Sequence, residues 1–243
     1  MSSLPELKLA YCSHEAAKYA VQKWHYSRSL PAGGAVRIGV WENGKFVGVI
    51  LFGLGAGRST SGTRYGLKSQ HDVAELTRIA LKKHATPVSR LIRIAVKLLR
   101  KKCPKLKLLI SFADPTQGHY GGVYQAAGWI YTGQSHMDGK GFVVHGKEIH
   151  SRSLGSRYGV GGQSLKWLQE NVDPNTKRFT PLPKHRYLLP LDDTTKQRII
   201  PLRQPYPKRA AGVAGDTSAI HAEEGGSIPT AALSVDGTGG GTA

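Results

Sequence analysis

Ser111-Phe112-Ala113-Asp114-Pro115-Thr116-Gln117-Gly118-His119-Tyr120-Gly121-Gly122-Val123-Tyr124-Gln125-Ala126-Ala127-Gly128-Trp129-Ile130-Tyr131 decides how this chain is built. It opens on the end of an apolar run, 106–112, which reads as one buried strand. Asp114-Pro115 stops that strand, since proline brings no N–H and restrains the residue before it. A small polar loop follows, then a short helix holding Tyr124. Gly128 closes the helix, and a second strand begins at Trp129. A polar cluster of Asp114, Gln117, His119 and Tyr124 therefore falls at the carboxyl end of a core strand, where open α/β sheets hold their ligands.

Working outward, 7–11 reads as a strand, and Ser13 caps a helix whose apolar face is Ala17, Ala20, Val21 and Trp24. That helix ends near His25-Tyr26-Ser27-Arg28. Two β-rich runs, 36–42 and 46–52, meet at Asn43-Gly44, a strong hairpin turn. Residues 53–66 are rich in Gly, Ser, Thr and Arg and read as a loop near a polyanion, with Arg58 and Arg64 as phosphate contacts. A core strand spans 73–81. Thr86 is expected to cap the next helix, with Pro87 in its first position. Leu91, Ile92, Ala95, Leu98 and Leu99 form one face of that helix; Arg90, Arg93, Lys97, Arg100 and Lys101 form the other. Ser89 and Arg90 lie in its first turn, where backbone N–H groups and the helix dipole attract anions. Further on, a strand around Phe142 and Val144, a loop over 152–162 with Arg157 and Tyr158, a helix over 164–172 and a strand over 184–191 are expected. The order gives an α/β fold, a mixed central sheet with helices on both faces.

The charge is extreme: +18 over 243 residues. It is also uneven. All 34 Lys and Arg precede residue 210, while four of the 16 acids (Asp216, Glu223, Glu224, Asp236) follow it, so residues 1–209 carry +22. A body this basic gathers phosphate polyanions, and double-stranded DNA is the expected partner. Residues 210–243, rich in Gly, Ala, Ser and Thr and free of aromatics, read as a disordered tail behind a catalytic domain spanning 1–209. Cys12 and Cys103 form no framework or metal pair, which fits a reducing compartment. No stretch has the length of a membrane span, and the first residues do not read as a signal peptide, so a cytoplasmic place is expected.

The blocks Trp24-His25-Tyr26-Ser27-Arg28-Ser29-Leu30-Pro31, Glu75-Leu76-Thr77-Arg78-Ile79, Ser89-Arg90-Leu91-Ile92, the opening run as far as Ala126, and Lys184-His185-Arg186-Tyr187 together resemble the Mom DNA-modification proteins of phage Mu type. The resemblance covers roughly residues 8 to 191. It implies a GNAT-like acyltransferase fold, and conversion of adenine N6 in phage DNA to a carbamoylmethyl (acetamido) form that shields the DNA from host restriction in the host cytoplasm. It implies further that the strand 73–81 and the helix after Pro87 splay around an acyl donor whose phosphates sit at the helix start, at Arg78, Ser89 and Arg90. The usual acetyltransferase pattern there, Arg/Gln-x-x-Gly-x-Gly/Ala, is absent: this chain reads Lys82-Lys83-His84-Ala85-Thr86-Pro87-Val88-Ser89-Arg90. The donor is left between acetyl-CoA and an aminoacyl ester such as glycyl-tRNA.

Adenine N6 is conjugated with its ring and nucleophilic only when extruded, oriented and relieved of a proton. Asp114 is the candidate base or grip for N6–H; its other reading is a turn acid in an Asp-Pro loop. Tyr124 is the candidate acid for the leaving group, or else a half-buried core tyrosine. His25 and Tyr26 join the catalytic set. Tyr26, Tyr120 or Trp129 offer stacking faces for a flipped base, Gln117 an edge reader, and His119 a substrate contact. His25, Asp114 and His119 also make a two-His, one-carboxylate set of the non-haem iron type. Two competing readings are a basic nucleic-acid-binding protein without chemistry, and a GNAT that acetylates a protein or small amine.

Overall fold

The computed structural model describes residues 5–31, 33–54, 61–135 and 141–207. Arg58 and the expected tail from 210 lie outside them. Strand β1 (Leu7–Tyr11) leads to α1 (His14–Trp24), capped as expected by Ser13, whose Oγ accepts from Ala16 N–H. Strands β2 (Ala35–Glu42) and β3 (Lys45–Gly53) form the hairpin around Asn43-Gly44. Then come β4 (Val73–Leu81), α2 (Val88–Lys102), β5 (Leu108–Ala113), α3 (Gly122–Ala126) and β6 (Ile130–Gln134). A smaller unit follows: β7 (Gly141–Val144), β8 (Lys147–His150), α4 (Ser151–Tyr158), α5 (Leu165–Asn171) and β9 (Lys177–Phe179). The chain then returns through β10 (His185–Pro190) and α6 (Asp193–Ile199).

The main sheet runs β1-β2-β3-β4-β5-β10-β6, and β8-β7-β9 form a second. Every neighbouring pair is antiparallel except β4 and β5. This is the expected mixed α/β sheet with helices on both faces. On one face α2 buries Leu91, Ile92, Ala95, Val96 and Leu99 against Ile50, Leu76, Leu109 and the Tyr124–Trp129 segment. On the other, α1 buries Ala16, Ala17, Ala20 and Val21 against Phe46, Val49 and Leu51, while Ile199 of α6 packs on Leu108, Ile110 and Leu188. Each fully buried aliphatic side chain contributes roughly 1.5–3 kcal/mol, so these two layers carry the main core.

The parallel pair positions the site. β4 and β5 are joined at only three registers, Val73 with Leu108, Ala74 with Leu109 and Glu75 with Ile110. Beyond these the strands part. β4 also carries a bulge: its register with β3 steps from Arg78↔Leu51 to Leu76↔Phe52, leaving Thr77 as the extra residue. Bulges bend a strand and increase its twist, which carries β4 away from β5.

Two expectations are corrected. Thr86 does not cap α2; the cap is Pro87, in extended geometry, without a capping side chain. Thr86 instead turns inward, 3% exposed, and its N–H is taken by a carboxylate from another strand. Residues 152–162 are no loop: α4 and a 3-10 turn (Gly159–Gln163) occupy them. Leu154 and Tyr158, one turn apart, join a separate small core with Phe142, Val144 and Leu168. Glycines at 155, 159, 161 and 162 hid that spacing. Both cysteines are free, and among the described residues no helix is long and apolar enough to cross a membrane.

Gly121 shows how tightly the organising stretch is packed. Its φ is +80°, and a Cβ built on it lies 2.2 Å from the ring of fully buried Tyr187. Gly121→Ala therefore combines overpacking with a left-handed backbone, and urea unfolding is expected to show a loss of about 2–4 kcal/mol.

Candidate active site

Tyr124 stands at the floor of the opening between β4 and β5. α3 presents it inward, 9% exposed, with its ring against Trp129 and Tyr187. Ser111, at the point where the strands have just parted, bridges the gap: its Oγ lies 2.9 Å from Leu76 O and 2.8 Å from the Tyr124 hydroxyl. The Ser111 O–H is the donor in both contacts, shared between the Leu76 carbonyl oxygen and the Tyr124 hydroxyl oxygen. The Tyr124 hydroxyl oxygen is thus held in a fixed position. Tyr187 O–H donates to Tyr120 O at 2.5 Å, and Gln125 Nε2 donates to the Tyr187 hydroxyl at 2.9 Å, which holds the loop before α3 against the sheet.

The rim is aromatic. His25 and Tyr26 stack with ring centres 4.3 Å apart, and Tyr26 meets His119 edge-on at 5.9 Å. Tyr26 is 41% exposed, an open face suited to a planar ligand. Ser27 N–H donates to His25 Nδ1, so that nitrogen carries no proton and the neutral ring is protonated at Nε2. Burial, then the charges of Arg78 and His119, pull His25 down from 6.5 to about 3. It is a neutral hydrogen-bond donor at ordinary pH. Arg78 ties this rim to β4 through Ser29 O and Thr77 O.

Asp114 takes the turn-acid role. It caps the 3-10 turn Pro115–Gln117 by accepting from Thr116 N–H and Oγ1–H, and pairs with Lys184 Nζ at 2.8 Å. Burial alone would raise its carboxyl. The hydrogen bonds from Lys184 and Thr116 and the lysine charge outweigh that and hold it below the usual range. A carboxylate so engaged is a weak proton acceptor. The iron reading does not fit either: Asp114 is committed to Lys184 and Thr116, His25 Nδ1 to Ser27, and no group of three His, Cys, Asp or Glu suited to a metal occurs among the described residues. Gln117 is exposed beside this turn, and Tyr120 faces His185 at 5.7 Å. Ser89 and the exposed Arg90 lie in the first turn of α2. Arg64 is exposed on the turn before β4, close enough to Arg186 for their charges to interact.

Residues 6–208 match the Mom protein family. The chain belongs to the Mom protein family. A relative, the methylcarbamoylase mom of Escherichia phage Mu, is 29% identical over 210 residues, covering 84% of each chain. Among solved structures, an aminoglycoside acetyltransferase in complex with coenzyme A and kanamycin aligns over 54% of this chain and 87% of its own, at 17% identity and a TM-score of 0.40; that likeness has no bearing on activity. Within this Mom chain, Ser111, Lys184 and Glu42 were not singled out from sequence. In sequence Ser111 reads only as part of a strand end, and its partners at 76 and 124 meet it only after folding. His185 is buried together with Arg186, Tyr187 and Leu188 in β10, a strand covered on both faces, so no alternation in the sequence marks it.

Because the folded value for His25 lies below the unfolded one, its neutral form is the one the fold favours. The stability contributed by neutral His25 is fully present above about pH 6.5 and is expected to be lost as pH falls through about 3. Ring-proton NMR should show no His25 titration between pH 5 and 8, whereas a histidine in an unfolded reference peptide titrates near 6.5.

Proposed function

We propose that this chain is a transferase that modifies DNA, building a carbamoylmethyl group on adenine N6 and so hiding the DNA from restriction endonucleases. The observation that carries this reading is one arrangement: a split between β4 and β5 with the Tyr124 hydroxyl held at its floor by the Ser111 O–H, under a half-exposed His25–Tyr26–His119 rim. Family membership and the name of the phage Mu relative support it. So does the +22 charge of residues 1–209, which favours double-stranded DNA. A binder without chemistry would have no use for a proton donor buried in a sheet split. In this reading the flipped adenine lies on Tyr26, the His25 Nε2–H and Gln117 hold its edge, and Tyr124 protonates the departing carrier. Asp114 and Lys184 fix the loop that carries His119 and Tyr120. Arg64, Arg90 and the exposed basic face of α2 meet phosphates.

Electron balance narrows the donor. Reaching N–CH2–CO–NH2 from an acetyl group requires a new C–N bond at a methyl carbon, which needs an oxidant and a nitrogen source. A glycyl ester needs neither. N6 displaces the carrier from the glycyl carbonyl, giving N6–CO–CH2–NH2 and the carrier hydroxyl. The glycyl amine then attacks ring C6 and the original N6 leaves as the amide nitrogen, with a proton passed between them. The product is an isomer of the first adduct, so atoms and electrons balance.

Nucleoside mass spectrometry of DNA from cells expressing the chain is expected to show deoxyadenosine heavier by one carbamoylmethyl group. With 15N-glycine, the label should sit on the ring-attached nitrogen; label in the amide, or none, overturns the glycyl route. Tyr124→Phe should lower modification by about 10²-fold or more, the range of a lost general acid, with DNA affinity retained. Unmodified DNA from cells with abundant soluble protein would defeat the reading itself.

A further inference from the structure

The turn between β4 and α2 is where a diphosphate-bearing acyl carrier would be gripped, because its backbone N–H groups lead into the free first turn of a helix. In this chain that turn already holds an anion. Glu42, the last residue of β2 and 8% exposed, reaches across the sheet end. Its Oε1 accepts from Thr86 N–H at 2.7 Å and its Oε2 from Ala85 N–H at 2.9 Å. The Thr86 side chain adds a further hydrogen bond. The rest of the turn is equally fixed. Lys82 N–H donates to Val47 O at 2.9 Å, and His84 Nδ1–H donates to Lys82 O at 2.7 Å. Pro87 contributes no N–H at all. A carboxylate and a diphosphate compete for the same kind of donor pair, and two anions at one amide pair repel.

Resting on the reading of the β4–β5 split as an acyl-donor cleft, we propose that Glu42 is a specificity-determining residue: a built-in anion that closes the β4–α2 turn to a donor's diphosphate and leaves the cleft to acyl carriers anchored elsewhere. The absent glycines agree. Glycine serves a phosphate cradle by letting the ligand approach the backbone, and a turn filled by a side chain from a neighbouring strand has no such need. Burial tends to raise the Glu42 carboxyl, but the Thr86 and Ala85 hydrogen bonds hold it below the usual range, so the anion is present at neutral pH.

The test uses the full chain and two probes, coenzyme A and inorganic pyrophosphate, followed by calorimetry and by 15N amide spectra. For the unaltered protein, neither probe should move the Ala85 and Thr86 signals. Glu42→Gln frees one amide and removes the charge, and should bind pyrophosphate about tenfold more tightly, the scale of one like charge removed at near-contact distance. Binding of coenzyme A to the unaltered protein with shifts at Ala85 and Thr86 overturns the proposal, and so does an unchanged affinity in Glu42→Gln. Coenzyme A binding without shifts at these two amides supports a closed turn. If Glu42→Gln does not fold, the unaltered protein decides alone. None of these readouts involves DNA, so a failed modification assay and a failed Glu42 assay are distinguishable.

Discussion

The structure depends on the place where β4 and β5 stop pairing. Three registers hold them together, then the Thr77 bulge carries β4 away and backbone groups on the facing edges lose their ladder partners. Unpaired backbone inside a protein is costly unless something satisfies it. Ser111 does part of that by donating to Leu76 O, and the same O–H also reaches the Tyr124 hydroxyl oxygen. A single hydroxyl thus links a defect in the sheet to the phenol the proposed chemistry would use. The packing around it follows: Gly121 bare against Tyr187, Trp129 and Tyr187 flanking the phenol, and α2 lying over the whole layer.

Much of this was legible in the sequence because it is local. The Asn43-Gly44 hairpin, the Ser13 cap, the amphipathic face of α2, and the strand–turn–helix–strand of 106–133 each write their geometry into adjacent residues. Asp114 shows the limit. An Asp before Pro at a strand end serves equally as a base or as a turn cap, and the choice rests on Lys184, seventy positions away and beside it in space. Glu42 is a starker case: nothing in Trp41-Glu42-Asn43 announces that its carboxylate will fill a turn at 85–86. Thr86 was misread as a cap for the same reason, since local capping lost to a partner from another strand. The Leu154–Tyr158 spacing was present and overlooked because glycines interrupt it.

Charge and aromatic surface divide the labour. In the proposed function, the basic residues at exposed positions of α2 and the turns would attract a polyanion from a distance without sorting it. The half-exposed rings of His25, Tyr26 and His119 would act only at contact. Keeping His25 neutral serves this division, since a protonated ring there would be one more cation among many, and a neutral one is a stacking face with a single directed N–H.

The smaller sheet has a consequence of its own. It enters after β6 and leaves before β10, and those two strands are hydrogen-bonded neighbours. At its root Ser135 N–H donates to Lys184 O at 2.7 Å and Lys184 N–H to Ser135 Oγ at 3.0 Å, so the ends of the excursion are stapled together independently of what lies between. Lengthening or replacing a loop closed in this way costs little, as closure entropy grows only slowly with length. The segment is therefore an exchangeable cassette. Its length and content can change without altering the register of the split sheet behind it.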